Sequence, residues 1–194
     1  MDEQVLAAMA RWPSVPAVAG WLSLDVRGQW RLHPDGRGRE GGPGTSISNP
    51  QILAFISRNY SHDNQGRWFF QNGPQRVYVR LDATPRIAQI DPSGQGLMDH
   101  TTRPCRALLA WLIDEQSQLY LVDAEGPLRL DDRALPAVIA AIEADGQTVE
   151  SLLDSTAPGL SAHALGIAQA LPLERVLQAE LPARFGYQVN PQPD

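Results

Sequence analysis

The 194-residue chain contains no lysine, so all sixteen of its fixed positive charges are arginines. This excludes a Schiff-base lysine, a pyridoxal-phosphate site and the lysine of a phosphate-binding P-loop. Cysteine is nearly absent as well, and the single Cys105 rules out an internal disulfide. Long hydrophobic runs are missing, because charged residues, prolines or glycines interrupt every apolar segment, and no membrane span is expected. The start, Met1-Asp2-Glu3 before a short apolar run, does not fit a secretory signal, so a cytoplasmic location is expected. A formal net charge of −6 argues against broad nucleic-acid binding, which depends on many cations neutralising phosphates.

A chain of this length can bury about 70% of its unfolded surface, enough for one large domain or a domain with a helical appendage. Its densest stretch is Gly66 to Leu81, GRWFFQNGPQRVYVRL, which reads as a β-hairpin that other elements must cover. Arg76 to Leu81 alternates, setting Val77, Val79 and Leu81 on one face and Arg76, Tyr78 and Arg80 on the other. Trp68, Phe69 and Phe70 form the facing strand. Asn72-Gly73 as the centre of a two-residue turn would require an N–H from Pro74, which has none, so a longer loop through Gln71 to Gln75 is expected and the register stays open. Either Trp68 or Phe69 can line the arginine face.

The other elements follow from spacing and turn chemistry. Glu3 to Trp12 reads as a short amphipathic helix ended by Pro13 and Pro16. Gly20 to His33 reads as a hairpin turning at Asp25 to Gly28, and the glycine-rich 34–46 segment as a mobile loop or linker. Ser48 or Asn49 with Pro50 starts a helix whose Ile52, Leu53, Phe55 and Ile56 form a stripe able to cover the Gly66 hairpin. Arg86 to Asp91, Ala107 to Ile113, Gln118 to Asp123 and Pro127 to Leu130 read as strands of a meander. A helix follows from Asp131 or Asp132 to Gly146. Short helices are expected over Val149 to Leu153, Ser161 to Leu171 and Leu173 to Leu181, and a poorly ordered tail from Tyr187. The expected fold class is α+β: antiparallel hairpins in curved sheets, a packed helix at about 49–60 and a helical C-terminal region, divided as 1–132 and 133–194.

One turn recurs: Asp25-x-x-Gly28-x-Trp30, Asp63-x-x-Gly66-x-Trp68, Asp114-x-x-Ser117-x-Leu119 and Asp123-x-x-Gly126-x-Leu128. The plainer reading is good hairpin grammar, aspartate bonding the backbone ahead of it and glycine accepting the left-handed conformation. The sharper reading is a duplication of the first two hairpins, both of which carry tryptophan two residues past the glycine. The succession of a G-x-W hairpin, the helix NPQILAFISRNY and GRWFFQNGPQRVYVRLDATP resembles a family of uncharacterised bacterial proteins of unknown function. It is similar in layout to a second uncharacterised bacterial family, in which a GxW-type strand, a helix and a GxY-type strand repeat in an α+β fold. The resemblance covers roughly Gly20 to Asp132 and implies the fold, with no catalytic residues to carry over.

Candidate sites are few. His33, His62, His100, His163 and Cys105 lack any metal-ligand spacing, so neither a metal nor another cofactor is expected. A His100–Cys105 nucleophile pair competes with the plainer reading of a loop histidine near an inert thiol. Gly41 to Gly44 resembles a phosphate loop in composition alone, and Asp131-Asp132 reads as a helix cap. The richest polar set is Arg58, Asn59, Tyr60, Arg67, Gln71, Gln75, Arg76, Tyr78 and Arg80, whose forks and hydroxyls suit a carboxylate, a phosphate or an acidic partner. Its plainer alternative is a solvated face whose arginines pair with Asp82, Asp63 or Glu115. The leading functional expectation is a non-enzymatic ligand-binding or regulatory module using the 66–81 hairpin face and an apolar hollow beside the helix. A homo-oligomeric interaction module and an enzyme with a loop-borne site at His62 or His100 to Cys105 are the alternatives.

Overall fold

The computed structural model describes residues 1–148 and 159–194. The chain divides into two compact units, 1–85 with 186–194, and 86–185. The break expected from composition falls at 132. The division at 85 arises because residues 86–90 pair with 128–130 in the second sheet.

The first unit runs α1 (Glu3–Arg11), β1 (Val18–Leu24), β2 (Trp30–Leu32), β3 (Thr45–Ser46), α2 (Pro50–Arg58), β4 (Tyr60–His62), β5 (Trp68–Asn72) and β6 (Gln75–Leu81). Its sheet has the order β3-β2-β1-β6-β5-β4, antiparallel throughout except for the central β1–β6 pair. Asn49 caps α2, its side-chain oxygen accepting from the N–H groups of Gln51 and Ile52 at 2.9 and 3.3 Å, and Pro50 takes the first helical position. Ile56 is buried beneath the helix, and Phe55 meets Phe70 edge-on at 5.5 Å. Of the stripe expected to be buried, Ile56 is buried and Leu53 and Phe55 are half-buried, while Ile52 stays exposed, so the helix covers the hairpin in part.

Three details of this unit differ from the sequence expectation. The 66–81 hairpin closes with a two-residue Gly73-Pro74 loop, Asn72 pairing with Gln75. Gly73 carries φ 58° at the first central position, as a type II′ turn asks, and Pro74 stands second, where no N–H is needed. The 34–46 segment is folded onto β1: a Cβ on Gly38 would lie 2.6 Å from the His33 ring and one on Gly20 2.2 Å from the Gly36 carbonyl. At these positions glycine is required because the backbone passes so close. The tail is also docked. Tyr187 is buried, the Leu81 N–H donates to the Val189 carbonyl at 2.8 Å and that of Gln188 to Gly66 at 2.9 Å.

The second unit runs β7 (Arg86–Ile90), β8 (Leu97–Asp99), β9 (Ala110–Ile113), β10 (Leu119–Asp123), β11 (Gly126–Leu130), α3 (Leu135–Ala144), β12 (Leu160–Ala162), β13 (Ile167–Leu171), β14 (Leu173–Arg175) and α4 (Leu181–Phe185). Its larger sheet has the order β14-β9-β10-β11-β7-β8. Asp131 caps the 132–134 turn that leads into α3, and Gly146 follows that helix at φ 77°. The helices expected over 161–171 and 173–181 are corrected to β12, β13 and β14, with α4 confined to 181–185. Gly166 at φ 77° reverses the chain, and Leu160, Ile167 and Leu171 are buried as strand residues. Tertiary burial outweighs the helix propensity of this alanine-rich stretch. The expected helix at 149–153 lies outside the described residues.

Five strands of each sheet share one topology, with β14 added at the edge of the second. Hairpin β7–β8 corresponds to β1–β2, the meander β9-β10-β11 to β4-β5-β6, and each pair of central strands is parallel. The register agrees as well. Pairing of Phe70 with Val77 corresponds to Leu121 with Leu128, and pairing of Leu22 with Val79 corresponds to Ala88 with Leu130. Even the short β3 has a counterpart in the bridge between Met98 and Pro104. The repeat therefore relates whole units, matching Asp25 with Asp91 and Asp63 with Asp114. The first two Asp-x-x-Gly-x-Trp hairpins are not copies of each other: one turn joins the central β1 to β2 and the other joins the edge strand β4 to β5.

Candidate functional site

The covered face of the first sheet carries Leu22, Phe70 and Val77. The nine-residue α2 reaches across part of that face and leaves a groove of about 720 Å³. The walls are Trp21, Leu32, Ile47, Ile52, Ile56 and Phe70, and small polar groups such as Thr45, Ser46, Asn72 and Gln75 stand among them. Among the described residues no charged side chain lines it. Trp21, Leu32 and Ile52 remain 44, 41 and 48% exposed.

The equivalent face of the second unit is closed. Leu121 and Leu128, which correspond to Phe70 and Val77, are fully buried in a cluster with Val138 and Ile142 of α3 and with Leu160, Ile167 and Leu171 of β12 and β13. The same sheet face is thus filled by the chain's own elements in one unit and open in the other.

The opposite face of the 66–81 hairpin holds part of the polar set. The register puts Phe69 opposite Tyr78, so Phe69 lines the arginine side, and the Arg76 guanidinium stacks 3.9 Å above its ring. Arg67 stacks on Tyr78 at 5.0 Å, donates through Nε to Asp63 at 2.8 Å and through Nη1 to Asp194 at 2.7 Å. Burial works to raise the Asp63 pKa, but hydrogen bonds from the Arg67 side chain and backbone and from the Gln65 N–H outweigh it and hold the carboxyl below its ordinary value. Arg67, Gln71, Arg76 and Tyr78 line one cleft of about 520 Å³.

The remaining members are dispersed. Arg80, on the same strand face, extends to the folded loop and donates to the carbonyls of Gly38 at 2.6 Å and Gly42 at 3.1 Å, beside the buried Ser23–His33 hydrogen bond of 2.9 Å. Burial, then the charge of Arg80, lowers the His33 pKa. Arg58 pairs with Asp2 at 3.0 Å, and Asn59 accepts from the Asp2 N–H at 2.8 Å. Tyr60 is a core residue between Trp30 and Trp68 whose hydroxyl donates to the Pro85 carbonyl at 2.9 Å. Gln75 donates to the Pro16 carbonyl at 3.4 Å.

The sulfur and imidazole groups offer no activated nucleophile pair. Burial pushes the Cys105 thiol up to about 12, so at neutral pH it carries its proton and lacks nucleophilic character. Burial also lowers His100 to about 4. His62 is exposed and tilted against Trp68 at 4.8 Å. Among the described residues no three His, Cys, Asp or Glu side chains gather in a metal-binding group, and no helix is long and apolar enough to cross a membrane.

Comparison with known proteins bears on the family alone. No curated protein matches the chain. It is similar to the crystal structure of a DUF1285 family protein from Silicibacter pomeroyi DSS-3, at 14% identity and a TM-score of 0.43, over 65% of this chain and 72% of that one. The family DUF2944, described as "Protein of unknown function (DUF2946)", matches residues 1–192. That match spans nearly the whole sequence, both units included, and the chain therefore belongs to this family of proteins of unknown function.

Proposed function

We propose that the first unit is a non-enzymatic binding module that holds a small, uncharged and largely apolar ligand in the groove between α2 and the β1-β2-β5-β6 face. One observation carries this reading: the sheet face that α3, β12 and β13 close in the second unit is open here. The volume of about 720 Å³ lies within the range of small-molecule sites. The uncharged character of the described lining residues selects against ions, since a charged ligand would lose its hydration without gaining a partner. Small polar groups at the margin, Asn72 and Gln75 among them, suit one or two neutral hydrogen-bonding groups on such a ligand.

The test is titration with Nile red, a neutral apolar dye, together with native mass spectrometry of the protein as purified. The dye is expected to saturate at one molecule per chain. Ile52→Arg puts a charge into the wall at a half-exposed position and is expected to weaken binding by about tenfold or more. If the dye gives no saturable signal, or if Ile52→Arg binds it as well as the natural protein does, the groove is not a ligand site. A doubled native mass together with an inaccessible groove would assign that face to a second copy and overturn the proposal.

A further inference from the structure

On the other side of the same hairpin, the Arg67 cleft is already occupied by a piece of the chain. Pro193 and Asp194 lie in it, the Asp194 carboxylate accepting from Arg67 Nη1 at 2.7 Å and Nη2 at 3.3 Å, while the Gln192 carbonyl accepts from Nη1 at 3.2 Å. The two partners are held very differently. The Arg67 side chain is 9% exposed and fixed from beneath by Asp63 and Tyr78, whereas the Asp194 side chain is 81% exposed. Upstream, backbone bonds at Gln188 and Val189 and the burial of Pro191 anchor the chain, so residues 192–194 can leave the cleft without undoing the fold.

Charge points the same way. The cleft has two guanidinium groups, Arg67 and Arg76, over one structural carboxylate, Asp63, whose Oδ2 lies 2.8 Å from Arg67 and 3.6 Å from Arg76. One positive charge is left for one further carboxylate, and Asp194 supplies it. The fork of a preorganised, largely buried arginine recognises a planar carboxylate through two parallel N–H groups. Around the fork stand Trp12, Pro13, Pro16 and Pro74, an apolar wall that suits an extended, proline-containing segment, and Pro193 lines the same cleft.

We infer that the Arg67–Arg76–Tyr78 cleft is a binding site for the carboxylate of an extended acidic peptide segment, with Asp194 as its resident, displaceable occupant. The site is independent of the groove proposed above, which lies on the opposite face of β5 and β6. The peptide competes with the 192–194 segment for the outer N–H groups of Arg67, and Arg76 adds charge at the rim.

The test is a nuclear magnetic resonance titration of the full chain with acetyl-Gln-Pro-Asp-amide, which carries a single carboxylate. Signals of the Trp12 indole N–H and the Arg67 Nε–H are followed in the natural protein and in Asp194→Ala. Both signals are expected to shift saturably, with binding about 2- to 5-fold tighter in Asp194→Ala, the size of an exposed ion pair. The matching Asn peptide is expected to give no saturable shift, and Arg76→Gln in the Asp194→Ala background to weaken the Asp peptide. Arg76 is partly exposed, so its replacement spares the fold, which the spectrum itself reports. Equal affinity for the natural and Asp194→Ala proteins, equal binding of the Asn peptide, or no saturation in Asp194→Ala would each overturn the inference.

Discussion

His100 accepts from the Ile87 N–H through Nδ1 at 3.3 Å, and its pKa is lowered to about 4, chiefly by burial, with Asp99 opposing the shift and Arg103 and Arg86 adding to it. The native state thus refuses a proton that the unfolded chain accepts at an ordinary 6.5. Stability is therefore unaffected above about pH 6.5 and falls as pH drops from there towards 4, by on the order of 3 kcal/mol across the window. Urea unfolding of the natural protein and of His100→Gln, which keeps an acceptor, at pH 7 and pH 5 checks this. The variant is expected to lose less stability on acidification, and an equal loss in both would remove His100 as the cause. Residue identity alone did not reveal this behaviour. His33, His62 and His100 are the same residue in the sequence, and only their surroundings separate a ring bonded to Ser23, an exposed ring against Trp68 and an enclosed acceptor.

At the scale of the element, the recurring aspartate turn is the most legible device in the chain. Asp25, Asp63 and Asp114 each accept through Oδ1 from the N–H groups two and four residues ahead, and the fourth residue has positive φ. Asp91 and Asp99 repeat the pattern; the first turn is readable in the sequence DPSGQG, whereas the second is hidden because Thr102 stands where glycine is the signal. Gly28, Gly66 and Gly94 hold that position at φ 71 to 77°, whereas Ser117 holds it at φ 62° with a side chain that disfavours it. Ser117→Gly is therefore expected to stabilise the protein by about 0.5–1 kcal/mol, since relief of left-handed strain exceeds the added chain entropy of glycine. A thermal unfolding midpoint that stays level or falls would contradict this. The hairpin loop at Gly73-Pro74 carries the converse lesson. Its residue types signalled a turn, but which two were central depended on the strand pairing on both sides.

At the scale of the whole molecule, two units of matching strand order and register treat the same sheet face in opposite ways. Trp111, in the second unit, is fully buried with its indole N–H donating to the Leu160 carbonyl at 3.2 Å, whereas Trp21, at the groove of the first, is 44% exposed. Trp111→Ala is expected to cost about 3–5 kcal/mol, the range for emptying an aromatic site in a core. Trp21→Ala is expected to stay within about 0.5–1 kcal/mol, because much of its surface is already in water. Chemical denaturation of both variants measures the contrast, and comparable losses would mean that the groove is filled by packing and is not open.

The sequence by itself determined the local structure: the absence of lysine chemistry, the capped helix at Asn49-Pro50, the alternating strand Arg76 to Leu81 and the aspartate turns. Each rests on the geometry of a few neighbouring residues, which composition and spacing encode directly. Only the tertiary structure decided which arginines share a site. Arg76 and Arg80 alternate on one strand face, yet Arg76 joins Arg67 over Phe69 and Tyr78 while Arg80 is drawn to the carbonyls of the folded glycine loop. Tertiary structure also turned 160–175 into strands, docked the tail on Arg67 and left one of two equivalent sheet faces open. These outcomes depend on which segments, distant in sequence, compete to bury the same surface, and such competition is settled by packing across the whole fold.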